Sequence, residues 1–342
     1  MHLTVLNDGH CGAIRGAGTT DASRWALRKH LLQGLKNLLP TTGDLLYLGD
    51  LFDTNNVPVA DVLHVYLIFD EWLTAHPTAT FYNVAGNHDE SKTSNVLSSF
   101  QFLGALLARR FPDRYVHIEK AGKAIPYGYV IPHIRNQDLF DHELTKVPQC
   151  QTLFLHCNYD NNFAVQSDQS LNLSPSQVEA LPVDNVVVAH EHHHRKVGKV
   201  WIPGNQVASS VSDWLPAVDK FCLTISKLGP QFKLVAVRAD EYVDMNFAQL
   251  AETDKKFVRI SGTAEPEQIN MILSRVNKLR SVIDAFVVAN AVSVASEEGL
   301  SEVFSASLDS LQRFSVLGAL RKILTPAEME IVEKYAERTS TN

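Results

Sequence analysis

The sequence has no apolar run of 18 residues, which excludes a membrane-spanning helix on length alone. Its opening residues, MHLTVLND, hold no basic stretch leading into an apolar core, so no secretory signal is expected. The four cysteines, Cys11, Cys150, Cys157 and Cys222, fall in no CxxC or other paired spacing. They read as reduced thiols in a cytoplasmic setting, mostly small core residues, rather than as a disulfide framework. Positive charge is also short: 31 Lys plus Arg stand against 38 Asp plus Glu, for a net −7 at pH 7. A protein that holds nucleic acid by bulk electrostatics shows the opposite balance. With 45% hydrophobic and 20% charged residues and no internal repeat, the composition is that of a globular chain. Its 342 residues suggest about two domains. What the chain has in surplus is histidine, 14 in all.

Short β-forming runs recur through the first 190 residues, at 3–6, 45–48, 80–84, 152–155 and 185–189. Apolar residues at three-to-four spacing predict helices over 22–39 (Leu27, Leu31, Leu35, Leu38), 60–75 (Val62, Leu63, Tyr66, Leu67, Leu73) and 94–108 (Val96, Leu97, Phe100, Leu103, Leu107). Such strand–helix alternation predicts sheets with helices on their faces. Ser174-Pro175-Ser176-Gln177 is a capping box with Pro at the first helical position, so a short helix is expected there. Beyond residue 200 the pattern changes. Runs at 221–226 and 232–237 flank Lys227-Leu228-Gly229-Pro230 and read as a β-hairpin. Residues 238–256 read as a polar linker, 257–289 as a small βαβ unit, and 295–342 as helical, with a second capping box at Thr325-Pro326-Ala327-Glu328.

Each of the five early runs ends in residues that can ligate a metal. They are Asp8-Gly9-His10, Gly49-Asp50-Leu51-Phe52-Asp53, Gly86-Asn87-His88-Asp89, His156, and His190-Glu191-His192. Sites in open α/β sheets form at the carboxyl ends of strands, so five such clusters converge on one rim. In D-x-H and H-x-H the two side chains point the same way while the chain is still extended. Gly49 and Gly86 allow a sharp turn after the strand. The mixed nitrogen and oxygen donors suit manganese, iron or zinc better than calcium, and the lack of cysteine argues against a structural zinc site.

The ordered series D-x-H, GD-x-x-D, GNH-D, H, H-x-H resembles that of the calcineurin-like metallophosphoesterases, over roughly residues 1–237. The resemblance implies an α/β fold: a four-layer sandwich of two mixed sheets flanked by helices. A small α+β capping subdomain (250–296) and a helical tail (297–342) that docks on an ATPase would follow. It implies two divalent metal ions, manganese foremost, with magnesium, iron or zinc as alternatives. Asp8, His10 and His192 resemble the ligands of one, and Asn87, His156 and His190 those of the other, with Asp50 bridging. His88 resembles the histidine that approaches the phosphate and leaving group, and Asp53 stands where an acidic residue can pair with it. Ala189 departs from the glycine usual before H-x-H, a small change of little expected consequence.

Within that family, GNHD in place of GNHE, and no Arg soon after Asp53, argue against a protein phosphatase. GDLFDTNNVP at 49–58 and Pro203-Gly204-Asn205 resemble the SbcD-type nucleases, partners of SMC-like (SbcC-type) ATPases in recombination and repair. The short C-terminal part is most similar to nuclease subunits of large tailed phages, which would put the protein in a host's cytoplasm. The resemblance thus implies a homodimeric DNA exo- or endonuclease. A stand-alone phosphodiesterase or phosphatase on small phosphoesters and a non-catalytic scaffold are the alternatives. For substrate contact the candidates are Arg195 and Lys196 beside the last motif. Asp89 and Glu90 are expected either to orient His88 or to begin the next helix. His193 and His194 are expected in a solvated loop, and His133 is a candidate for the cleft wall.

Overall fold

The computed structural model describes residues 2–14, 20–91, 96–161, 171–215, 219–282, 285 and 287–294. The expected tail, 297–342, lies outside the described residues. In chain order the elements are β1 (Leu3–Leu6), α1 (Asp21–Leu38), β2 (Asp44–Leu48), α2 (Val59–Ala75), β3 (Phe81–Val84), α3 (Ser99–Arg110), β4 (Tyr115–Ile118), β5 (Lys123–Ile125) and β6 (Gly128–Ile131). They continue as α4 (Gln137–Leu144), β7 (Cys150–His156), β8 (Asn158–Tyr159), β9 (Asn172–Leu173), α5 (Pro175–Ala180), β10 (Val183–Ala189), β11 (Arg195–Val197) and β12 (Val200–Ile202). After these come β13 (Lys220–Ser226), β14 (Gly229–Ala236), α6 (Arg238–Glu241), β15 (Tyr242–Asn246), β16 (Phe257–Ala264), α7 (Ile269–Val282) and β17 (Val287–Val294).

Two mixed six-stranded sheets dominate, in the orders β14-β13-β1-β2-β3-β4 and β11-β12-β10-β7-β6-β5. In the first, β1 to β4 are parallel and the β13–β14 hairpin adds on antiparallel. In the second, β6, β7, β10 and β12 are parallel, with antiparallel edges β5 and β11.

Side-chain alternation explains the layering. Leu46 and Leu48 of β2 meet Phe154 of β7 and Val187 and Ala189 of β10 in a core between the sheets. Their neighbours Leu45 and Tyr47 face the opposite way, onto Leu35 of α1, Val62, Val65 and Phe69 of α2, and Phe100 and Leu103 of α3. On the second sheet, Leu153, Leu155, Val186 and Val188 turn outward, onto Phe140 and Leu144 of α4 and Val178 of α5. Strands apolar on both faces, each face covered, are the expected signature of such a stack. The result is the four-layer α/β sandwich, helices–sheet–sheet–helices.

Some local expectations shift. The third helix begins at Ser99 rather than 94, because Ser98 takes the cap: its Oγ accepts the Gln101 N–H at 3.2 Å and Gln101 Oε1 accepts the Ser98 N–H at 3.0 Å. The capping box at Ser174 and Gln177 forms as expected and opens α5. Residues 238–256 are not a bare linker. They hold α6 and β15, which joins a three-stranded sheet in the order β15-β16-β17. The polar pattern hid this strand because Asp244 spends its carboxylate on Arg259 Nη1 at 2.8 Å and Ser261 Oγ at 2.6 Å. The chain divides into two compact units. One holds Met1–Val243, Asp254–Val258 and Asp284–Val288; the other holds Asp244–Thr253, Arg259–Ile283 and the residues from Ala289. No described helix is long and apolar enough to cross a membrane.

A buried ion pair joins α1 to α2. Asp61, with a fully buried side chain, accepts from Arg28 Nε and Nη2 at 2.9 and 2.6 Å. Removing one partner of such a pair strands a charge in a low-dielectric interior. Arg28→Met is therefore expected to lower stability in urea unfolding by about 3–5 kcal/mol. Lys36→Met, which opens the exposed Lys36–Glu71 pair, should cost less than about 1 kcal/mol.

Candidate metal centre

The five strand ends meet at one rim of the sandwich. Their loops are stitched together by the backbone: Asp8 N–H donates to Gly49 O at 3.0 Å, His10 N–H to Asp50 O at 3.1 Å and Cys11 N–H to Leu51 O at 2.9 Å. Four residues at these turns, Asp8, His10, Asp50 and His190, have φ of 50°, 44°, 53° and 94°, the left-handed region that L-residues avoid. Each such residue costs on the order of 1–3 kcal/mol, so the surrounding packing has to hold it in place. The glycines answer a second demand. Gly49, itself at φ +86°, passes so close to the His156 ring that a Cβ would collide with it, and a Cβ on Gly86 would collide with the Asp50 carboxylate.

Three groups of donor atoms converge here: Asp8, His10 and His192; Asp50, His156 and His190; and His10, Asp50 and His88. In each group the donor atoms lie within 4.8 Å of one another. Asn87 joins the second through its Oδ1, 3.0 Å from His156 Nε2, while Asp50 Oδ2 lies 3.5 Å from that same nitrogen. All seven residues expected as ligands are thus brought together, with Asp50 common to two of the groups.

The histidines are aimed by what their other ring nitrogen meets. His156 Nδ1 lies 3.0 Å from Leu48 O, His88 Nδ1 lies 2.5 Å from Asp53 O, and His192 Nδ1 lies 2.7 Å from Asp213 Oδ1. Each acceptor selects the Nδ1–H tautomer and leaves Nε2 free to ligate or to take a proton. Asp53 meets His88 differently from the expected side-chain pairing. Its carbonyl oxygen accepts from His88, whereas its carboxylate lies 3.6 Å from His10 Nδ1.

The centre fits a cation. Asp8 and Asp50 are 0% and 1% exposed, and Asp8 Oδ1 is buried without a hydrogen-bond partner. His10 Nε2 faces His192 Nε2 at 3.1 Å, an approach that suits two donors sharing one acceptor of electrons. A nitrogen and oxygen set of this kind matches a divalent transition metal. Burial drives the Asp8 carboxyl up. Burial alone would also raise Asp50, but the neighbouring His156, His88 and His10 hold it well below the usual carboxylate range. Burial, together with His192, lowers His10 to about 3. His156 and His192 move the other way: burial opposes their charge, yet Asp50 and Asp213 respectively carry them up to about 9.

Several supporting residues escaped the sequence reading. Asp213 is one. Asp89, whose two possible roles were left open, proves to be a staple. It accepts N–H groups from Gly86 at 2.9 Å, Phe52 at 3.2 Å and Leu51 at 3.4 Å, and so ties the second motif to the third. Burial and the Asp50 charge push it up to about 7. The only signal for it was its place in GNHD. Nothing adjacent in sequence marks Asp213, which lies 21 positions from His192. Lys220, almost fully buried, reaches Asn205 Oδ1 and Asp213 O, both at 2.5 Å. His133 is buried with its ring 6.3 Å from that of His156. His193 bonds to Ser212 O at 3.1 Å, and His194 packs on Phe221. The basic candidates are employed locally. Arg195 clamps Glu191 and Tyr159 O, and Lys196 lies 3.8 Å over the Trp201 ring.

A cleft of about 270 Å³ opens over the centre, and among the described residues His10, Ala13, Asp50, Asp53, His88, His190 and His192 line it. Ser209, Ser210, Ser212 and Asp213 line it as well.

No family model and no curated protein matches this chain. Among solved structures it is similar to an archaeal phosphodiesterase, at 9% identity over 69% of this chain and 100% of that one, with a TM-score of 0.34. It is also similar to a purple acid phosphatase from seeds of yellow lupin (Lupinus luteus), at 11% identity over 68% of this chain and 51% of that one, TM-score 0.35. A third similarity is to a cold-active protein tyrosine phosphatase, at 11% identity over 68% and 76%, TM-score 0.33.

Metal ligation needs unprotonated imidazole. With His156 and His192 charged below about pH 9 in the metal-free chain, a cation has to displace their protons. Apparent manganese affinity is therefore expected to rise from pH 6 to pH 9. Titration calorimetry in buffers of different ionisation enthalpy should read up to one proton released per ring. Affinity that is flat across this range would contradict the assignment.

Proposed function

We propose that the protein is a metal-dependent phosphodiester hydrolase, and within that class a DNA exo- or endonuclease subunit that works with an SMC-like ATPase. The observation that carries the hydrolase reading is the convergence of Asp8, His10, Asp50, Asn87, His156, His190 and His192 at one rim, with an unpartnered, buried carboxylate oxygen among them. Asp8, His10 and His192 would hold one divalent cation and Asn87, His156 and His190 a second, with Asp50 shared. When bound, such a pair supplies positive charge to a phosphate oxygen and makes a water nucleophilic near neutral pH.

The chain's own residues do the rest. His88 has its Nδ1–H pinned by Asp53 O, so Nε2 is the atom that carries a proton to the leaving oxygen as the P–O bond breaks. Its backbone N–H donates to Asp50 Oδ1 at 2.9 Å, so the proton donor and the shared carboxylate are held in one register. Asp53 is a positioning residue, serving His88 through its carbonyl, with its carboxylate 3.6 Å from His10 Nδ1. The DNA reading rests on the likeness of GDLFDTNNVP and Pro203-Gly204-Asn205 to SbcD-type nucleases. With a net charge of −7, much of the DNA affinity would come from the cations and from a partner, beside a few local basic groups.

The test is degradation of linear duplex or single-stranded DNA with manganese, abolished by a chelator. Hydrolysis of bis(p-nitrophenyl) phosphate with DNA left intact, even beside an ATPase partner, would favour a stand-alone phosphodiesterase instead. His88→Asn should keep the bound metal, measured by elemental analysis, and lose about 10²–10⁴-fold in rate. A near-normal rate would remove His88 from its role.

A further inference from the structure

A serine segment also lines the cleft, and one residue joins it to the metal centre. Asp213 is 1% exposed and uses both carboxylate oxygens. Oδ1 accepts from His192 Nδ1 at 2.7 Å. Oδ2 accepts the Ser209 N–H at 2.7 Å, the Ser210 N–H at 3.0 Å and the Ser209 hydroxyl at 3.1 Å. The three serines at 209, 210 and 212 line the same cleft as His10 and His88, and the Ser210 and Ser212 hydroxyls lie 2.7 Å apart. The segment is anchored below as well: Lys220 Nζ donates to Asp213 O, Asn205 Oδ1 and His192 O.

We infer that Asp213 is a positioning residue that sets His192 and the serine segment of the cleft at once. It holds His192 as the Nδ1–H tautomer with Nε2 turned to the metal position, and it fixes the serine segment as a neutral hydrogen-bonding wall for the non-bridging oxygens of a phosphodiester. This rests on the metal-dependent reading above. Only a carboxylate can do both. Its two oxygens accept on opposite sides, whereas an amide has one acceptor oxygen and a donor NH₂ in place of the other. In Asp213→Asn the side chain can serve His192 or the Ser209 and Ser210 amides, but not both. Losing the carboxylate partner of a ligating histidine typically weakens metal binding by 10–100-fold.

The test compares the full chain with Asp213→Asn. In the variant, manganese affinity at one of two positions should fall about 10–100-fold by calorimetry. The manganese dependence of bis(p-nitrophenyl) phosphate hydrolysis should move to higher concentration by the same factor. The visible absorption of the cobalt-loaded chain should shift, which loss of stability alone would not produce. Unchanged affinity and spectrum in a folded variant would overturn the inference while leaving the metal reading intact. Failure of the wild type to bind manganese at all would sink the metal reading itself. Should the variant not fold, nitrogen–proton correlation spectra of the zinc-loaded wild type decide the matter: His192 protonated at Nδ1 supports the inference, and at Nε2 overturns it.

Discussion

Two carboxylates buried between two β-sheets are the constraint on which this structure turns. Asp8 and Asp50 sit where apolar strands end, almost without access to water. A charge taken out of water costs several kcal/mol unless it is closely matched. The matching comes from the other motifs. His156 and the His88 amide attend Asp50, and the Asn7 side chain and the His190 amide attend Asp8 Oδ2, which leaves Asp8 Oδ1 exposed to the centre alone. The first sheet supplies the anions and the second supplies His156, His190 and His192. The inter-sheet core of Leu46, Leu48, Phe154 and Val187 therefore does more than bury surface: it sets how far apart the donors lie.

The backbone bears a cost to bring them there. Left-handed φ at Asp8, His10, Asp50 and His190 puts successive donors on the inside of tight turns rather than alternating across a strand. The bonds that resist relaxation come mostly from elsewhere in the chain. Asp89 staples the second motif to the third, and the 8–11 and 49–53 loops pair as a short continuation of the sheet. These bonds hold the donors in place through contacts the chain itself supplies.

The aim of each histidine is likewise an outcome of packing. Leu48 O, Asp53 O and Asp213 Oδ1 each occupy one ring nitrogen, and each leaves Nε2 inward. Two of the three are backbone carbonyls, groups that every residue possesses and no motif can advertise.

Much of this was legible in the sequence. The strand ends, the layered fold and the helix start at Ser174 follow from local periodicity, because strands and helices impose those spacings on the chain. The seven candidate donors came from the resemblance of the motif series, and four of them, Asp8, His10, Asp50 and His190, sit on left-handed turns rather than on extended strand. What the sequence left open depends on contacts between distant positions. Asp53 serves His88 by its carbonyl, Arg195 is spent on Glu191, and β15 hides in a polar stretch whose Asp244 finds Arg259. Asp213 sits 21 positions beyond the histidine it holds. Periodicity decides which residues face inward. Only the folded chain decides which of the inward-facing groups come within hydrogen-bonding reach, because that depends on contacts between positions far apart in sequence.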